Sequence, residues 1–293
     1  MHDVFTSRTI AVAFALALLV PEIAMAADCK PDALGTGRTI VVDPAEHGRI
    51  GTMQYGETLP LRDHEVVLTF DDGPIPPNTT KVLDILASEC VKATFFLVGV
   101  MANRYPSVVR RTFDEGHTIA THTQTHAAKI WKWPIAKQEA DIQQGIASVT
   151  QALGDTGKLS PFFRFPGLGK SAEIETHLAE QGIMVWSADF PADDWTRITA
   201  KQVMTRALDR LERKGKGVLL LHDIHKKTVT ALPELLNELK KRNYTVVHVV
   251  AAGPDQPKTP TDPQQWVMQT PAKPVARAPA RNGTPPPRER RPL

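Results

Sequence analysis

Glu65-Val66-Val67-Leu68-Thr69-Phe70-Asp71-Asp72-Gly73-Pro74 is the stretch on which the reading of this chain turns. Its apolar first half, rich in β-branched residues, reads as a buried strand. Two adjacent carboxylates stand where that strand ends, and Gly73-Pro74 turns the chain at once. Neighbouring side chains on a strand point to opposite faces, so Asp71 and Asp72 face different partners only if the turn re-aims one of them. Like charges this close repel, and they persist only where a cation or protons offset them. A solvated turn would explain residues 69–74 alone; the rest of the chain argues against it.

Outward from this stretch the chain alternates. Helical spacing over 80–87 (Val82, Leu83, Leu86) is followed by an apolar strand over 92–98. A helix over 104–115 stops at Gly116, and a short strand over 117–120 leads into His122-Thr123-Gln124-Thr125-His126. A long helix over 135–153 precedes the loop Phe163-Arg164-Phe165-Pro166-Gly167. A helix over 172–181 and a strand over 183–186 precede Asp193-Asp194-Trp195. A helix over 199–214, a strand over 217–221 ending at His222-Asp223, a helix over 228–242 and a strand over 244–250 complete the pattern. This alternation predicts the α/β class, with a mostly parallel sheet or barrel. Each polar cluster follows a strand, on the face where such folds place their chemistry.

The two ends differ from this body. Arg8 precedes an apolar run over 10–20 that is too short for a membrane span, and Ala24-Met25-Ala26 is a small-x-small cleavage site. Residues 1–26 therefore read as a secretory signal peptide, with an uncleaved anchor the lesser alternative. A secreted or periplasmic protein is expected, and in that oxidising setting Cys29 and Cys90 either form one disulfide or leave Cys90 a buried thiol. Residues 27–63 read as an N-terminal extension, 64–252 as the catalytic domain, and 253–293 as a disordered, proline-rich basic tail. From Pro254 onward seven Lys and Arg face three acidic residues, so the formal +3 of the chain belongs to the tail and the body is near neutral. No nucleic-acid partner is expected. The tail is either solvated without a partner or drawn to an anionic envelope surface.

His122 and His126 are four apart, so on a helical turn both imidazoles share a face and can bind one ion. Asp72 offers a third ligand, giving a two-histidine, one-carboxylate shell with positions left for water and substrate. Such a donor set suits zinc, with cobalt, nickel or manganese also accommodated.

Taken together these residues resemble the polysaccharide deacetylases of carbohydrate esterase family 4, the NodB-homology domain. Thr69-Phe70-Asp71-Asp72-Gly73-Pro74 matches that family's first motif and His122-Thr123-x-x-His126 its second. Arg164-Phe165-Pro166, Asp194-Trp195 and Leu220-Leu221-His222 are similar to the third, fourth and fifth. The resemblance implies a distorted (β/α) barrel with fewer than eight repeats and metal-dependent deacetylation of an N-acetylglucosamine-type glycan, chitooligosaccharide or peptidoglycan, by a monomer. It implies that Asp72, His122 and His126 hold the metal, that Asp71 is the general base oriented by Arg164, and that His222 is the general acid tethered by Asp194. The backbone of Gly167 would serve the oxyanion, and Trp131, Phe165, Trp195 and Leu220 would contact substrate.

Three departures stand out. Gly167 takes the place of an aromatic residue, Thr121 the place of Asn, and the loop 189–195 is longer than usual, leaving Asp189, Asp193 and Asp194 as alternative tethers for His222. Rival readings are an O-acetyl xylan esterase, a cyclic-amide hydrolase of the related amidase branch, and a glycan-binding module without catalysis. Gly169-Lys170-Ser171 is no phosphate loop, because Arg164 occupies the first glycine position. The chain contains neither Gly-x-Ser-x-Gly nor His-Glu-x-x-His. His225 and His248 read as surface and strand residues.

Overall fold

The computed structural model describes residues 29–268. Strand β1 (Thr36–Val42) and the short β2 (Arg49–Ile50) precede β3 (Glu65–Asp71), which carries the first motif. There follow α1 (Asn78–Ser88), β4 (Thr94–Leu97), α2 (Gly99–Arg104), α3 (Pro106–Asp114), β5 (Thr118–Thr121) and α4 (Ile135–Leu153). The second half runs β6 (Phe162–Phe163), α5 (Ala172–Glu180), β7 (Met184–Trp186), β8 (Phe190–Pro191), α6 (Ala200–Lys214), β9 (Gly217–His222), α7 (Lys226–Lys241) and β10 (Thr245–Ala251). Every pairing between these strands is parallel. The order β1-β10-β3-β4-β5-β6-β7-β2, with β9 joining β3 to β8, does not close on itself. This is the expected α/β fold, a distorted barrel left open between β2 and β8.

The residues of β3 show how the sheet is packed. All seven are buried, as a strand covered on both faces requires. Val66, Leu68 and Phe70 point outward into a core with the helices, where they meet Leu83, Phe95, Leu208 and Leu235. Val67 points the other way, into an inner core with Phe96, Trp186, Val218 and Val247. The same alternation turns Thr69 and Asp71 inward at the C-terminal end of the barrel.

Several expected boundaries moved. The helix expected over 104–115 is α3, which begins at Pro106 in its N1 position, and the short α2 before it was not expected. Residues 27–63 are not an extension laid on a finished domain. The β1 strand pairs with β10 from Thr36 to Val42, β2 pairs with β7, and Ile40, Ile50 and Leu59 belong to the inner core. The tail does not begin at 253 either. Trp266 is 3% exposed and stacks on His47, Thr259 bonds Val41 through backbone and side chain, and Glu57 bridges Val267. One tryptophan supplies enough apolar area to hold a proline-rich segment that average composition marks as unfolded. Cys29 and Cys90 form a disulfide, which resolves the alternative left by the sequence. The expected signal peptide and the part of the expected tail beyond residue 268 lie outside the described residues.

Candidate active site

The C-terminal ends of the strands bring the motifs together by register. Asp71 is paired with His222 across β3 and β9 and with Phe96 across β3 and β4. Thr121, just before His122, is paired with Phe163, just before Arg164. The adjacent carboxylates part company here. Asp71 keeps the inward direction of its strand, while Asp72 takes φ +77°, a left-handed conformation that swings its carboxylate elsewhere. Gly73 must then pass so close to buried Asp223 that a Cβ would overlap that carboxylate.

Asp71 meets Arg164. The Nη1 group donates to Asp71 Oδ1 at 2.6 Å and to Thr69 Oγ1 at 2.9 Å, and Nη2 donates to the Ser187 carbonyl at 2.9 Å. Arg164 is fully buried and lies over the Phe96 ring, 4.1 Å from its centroid. Burial pushes its pKa down, and the Asp71 charge opposes that shift.

Asp72 meets the histidines. Its Oδ1 lies 3.0 Å from His126 Nε2 and 3.4 Å from His122 Nε2, and the three donor atoms fall within 4.8 Å of one another. His122 Nδ1–H donates to the Arg164 carbonyl at 2.7 Å, which leaves Nε2 with a lone pair facing Asp72. Asp72 Oδ1 is buried without a hydrogen-bond partner. Burial alone would raise Asp72, but the surrounding imidazoles hold it well below the usual carboxylate range. His126 is raised in turn by Asp72. A buried acceptor without a donor, between two imidazole nitrogens, fits a divalent cation of the kind N2O shells bind. The two histidines do not share a helical face as their spacing suggested. They converge through a loop in which Thr123 and His126 both take positive φ, with His126 N bonded to Thr123 Oγ1.

His222 faces this cluster from β9. Its Nδ1–H donates to Asp194 Oδ1 at 2.7 Å, its own N–H donates to Asp194 Oδ2 at 2.7 Å, and Thr228 Oγ1 donates to that same oxygen at 2.6 Å. Asp189 and Asp193 are engaged elsewhere. Asp189 accepts from Thr52, Thr58 and Val218, while Asp193 pairs with Arg206 and Arg210. Asp194 is therefore the carboxylate on His222. Burial opposes charging of His222, but Asp194, with Asp71 and Asp72 behind it, outweighs that and lifts its pKa to about 9.

A cleft of about 530 Å³ opens over these groups, in the size range of small-molecule sites. Leu220, Trp195, Gly167, Leu168 and Pro191 line it. Trp195 is 48% exposed with its ring edge-on to His222, 5.4 Å between centroids. Gly167 takes φ +58°, a conformation that suits glycine and accounts for its presence there. Phe165 and Trp131 do not reach the cleft. Phe165 is 2% exposed and packs edge-on to Phe163, and Trp131 lies under Gly169, whose Cβ would overlap its ring. Phe165 sits in the core with Ile174 and Leu178, and Trp131, in the single turn Ile130–Lys132 after β5, is partly buried against that cluster. Sequence reasoning missed Met53 and Gln54, which line the cleft from far outside the motifs, and Thr228, which has no local signal.

Two groups suited to opposite proton transfers flank an ion-sized gap at the mouth of parallel strands. That equipment defines a hydrolase able to hold one divalent ion. Comparison with known proteins gives the family. The family model described as polysaccharide deacetylase matches residues 59–186. A peptidoglycan-N-acetylglucosamine deacetylase of Bacillus cereus is 33% identical over 186 residues, 60% of this chain and 66% of that protein. A second from the same organism is 32% identical over 202 residues, 66% of this chain and 70% of that protein. The structure of a peptidoglycan deacetylase from Bdellovibrio bacteriovorus superposes with a TM-score of 0.68 at 28% identity, covering 76% of this chain and 62% of that one. This chain belongs to the polysaccharide deacetylase family. It spans about two thirds of the first of these relatives and slightly less of the Bdellovibrio chain.

Proposed function

We propose that this protein is an exported, metal-dependent N-deacetylase that releases acetate from N-acetylglucosamine-type glycans such as peptidoglycan or chitooligosaccharides. The observation that carries this reading is the division of labour between adjacent carboxylates, Asp71 on Arg164 and Asp72 on two histidines. The names of its relatives as peptidoglycan deacetylases support the substrate class. The Cys29–Cys90 disulfide supports export to an oxidising compartment.

Held by Asp72, His122 and His126, a divalent ion such as zinc would lower the pKa of water and polarise the acetyl carbonyl. Asp71 accepts the proton of the attacking water, and Arg164 keeps its carboxylate aimed at the cleft. The Gly167 backbone N–H serves the oxyanion. His222, held with Nδ1–H on Asp194, keeps Nε2 toward the cleft and gives its proton to the departing amine as the C–N bond breaks. Trp195 and Leu220 wall the sugar site.

Elemental analysis of freshly purified protein is expected to find about one divalent ion per chain, since the described residues hold one three-ligand set. Acetate release should follow from chitooligosaccharides or peptidoglycan and stop on chelation. Acetate from acetylxylan alone would move the substrate to an ester, and activity in metal-free protein would sink the mechanism.

The acid sets a pH limit. His222 acts while protonated, and its raised pKa places the loss of activity on the alkaline side, as pH climbs through that value. A cation held on Asp72 would draw the limb down from about 9, because it would offset one of the charges that raise it. Asp194→Asn removes the strongest raising partner, so the alkaline limb should move to lower pH with metal content unchanged. An unmoved limb in the pH profile of kcat would exclude His222 as the titrating acid.

A further inference from the structure

One rim of the cleft comes from a segment that no motif reaches. Residues 51–57 run along its mouth between the loops that follow β6 and β7. On one side Met53 N–H donates to the Ala188 carbonyl at 2.9 Å, and Thr52 donates through N–H and Oγ1 to Asp189 Oδ1 at 2.9 and 2.8 Å. On the other, Gln54 Nε2 donates to the Leu168 carbonyl at 2.6 Å and Lys170 Nζ to the Gln54 carbonyl at 2.7 Å. The segment also closes on itself, with Tyr55 N–H on the Gly51 carbonyl at 2.9 Å. Gly51, at φ +105°, passes so near the Ser187-Ala188 backbone that a Cβ would stand 2.6 Å from it. These bonds on both sides make a braced wall.

At the crest of this wall Met53 is 44% exposed and lines the cleft. Among the described residues four large apolar side chains are exposed, and two of them, Met53 and Trp195, border this one cleft. A single exposed apolar residue needs no explanation, but two on one concave site mark a surface shaped for a ligand with an apolar face. Beside them Gly167 leaves open space, for a Cβ there would meet nothing within 4 Å.

We propose that Met53 is a substrate-binding, specificity-determining residue. With Trp195 it covers the C–H face of a pyranose ring in the cleft, where a flexible, polarisable thioether adapts to the ring. Gln54 ties this wall to the Gly167 loop through its bond to the Leu168 carbonyl. The inference rests on the glycan deacetylation proposed above.

Steady-state acetate release from chitotetraose tests it, with thermal melting as a check on folding. Met53→Ala should raise KM about five- to tenfold with kcat within about twofold and an unchanged melting temperature, as loss of apolar contact made equally in ground and transition states requires. Met53→Leu should restore KM to within about twofold. An active wild type whose KM is matched by Met53→Ala would overturn this inference alone, as would a loss confined to kcat. A wild type inactive on every N-acetylated glycan would overturn the deacetylase reading and this inference with it.

Discussion

Asp71→Asn is expected to keep its divalent ion and to lose at least about a hundredfold in turnover, the usual scale for removal of a general base. Asp72→Ala is expected to lose the ion and, with it, activity. The two residues are adjacent, so a plain turn would treat them alike. They differ because the left-handed backbone at Asp72 places its Oδ1 3.0 Å from His126, while Asp71 stays on Arg164 at 2.6 Å. Metal content by elemental analysis and acetate release, measured on both variants, separate the roles. Equal loss of metal in the two would mean a shared ligand pair and would overturn the assignment of Asp71 as base.

Arg164→Met is expected to destabilise the protein by about 3–5 kcal/mol, the scale for stranding one partner of a buried ion pair. At this chain length that is a fall of roughly 6–20 °C in melting temperature. The side chain is fully buried, and its loss leaves the Asp71 carboxylate, the Thr69 hydroxyl and the Ser187 carbonyl without their donor. Adding Asp71→Asn to Arg164→Met should recover part of the stability, since it removes the stranded charge. A single variant that melts within a degree or two of wild type would show that the pair is not integral to the fold.

Much of the fold was legible because its signals are local. The helix over 135–153 was expected at its observed limits, and in the structure Gly154 in the left-handed conformation ends it. The alternation of the longer strands with helices followed from apolar runs and the turns that end them, whereas the two-residue β2, β6 and β8 gave no such signal. The boundaries at 63 and 253 were not legible. Pairing of β1 with β10 joins residues about two hundred positions apart, and Trp266 finds its place only against His47. Contacts of that range leave no mark in a local window of sequence.

The site divides in the same way. The sequence singled out the residues proposed to react or to hold the ion, with Asp72, His122 and His126 marked by donor type and spacing and Asp71, Arg164 and His222 by the family resemblance. Tertiary structure decided which of three nearby carboxylates meets His222, since Asp189 and Asp193 are the same residue type and only the fold commits them to Thr58 and Arg210. It also decided that His122 and His126 converge through a left-handed loop and not a helical turn, that Phe165 and Trp131 face the core, and that Met53 borders the cleft. Chemistry is a property of residue type and travels with the sequence, whereas direction and neighbourhood depend on backbone angles and long-range packing that exist only in the folded chain.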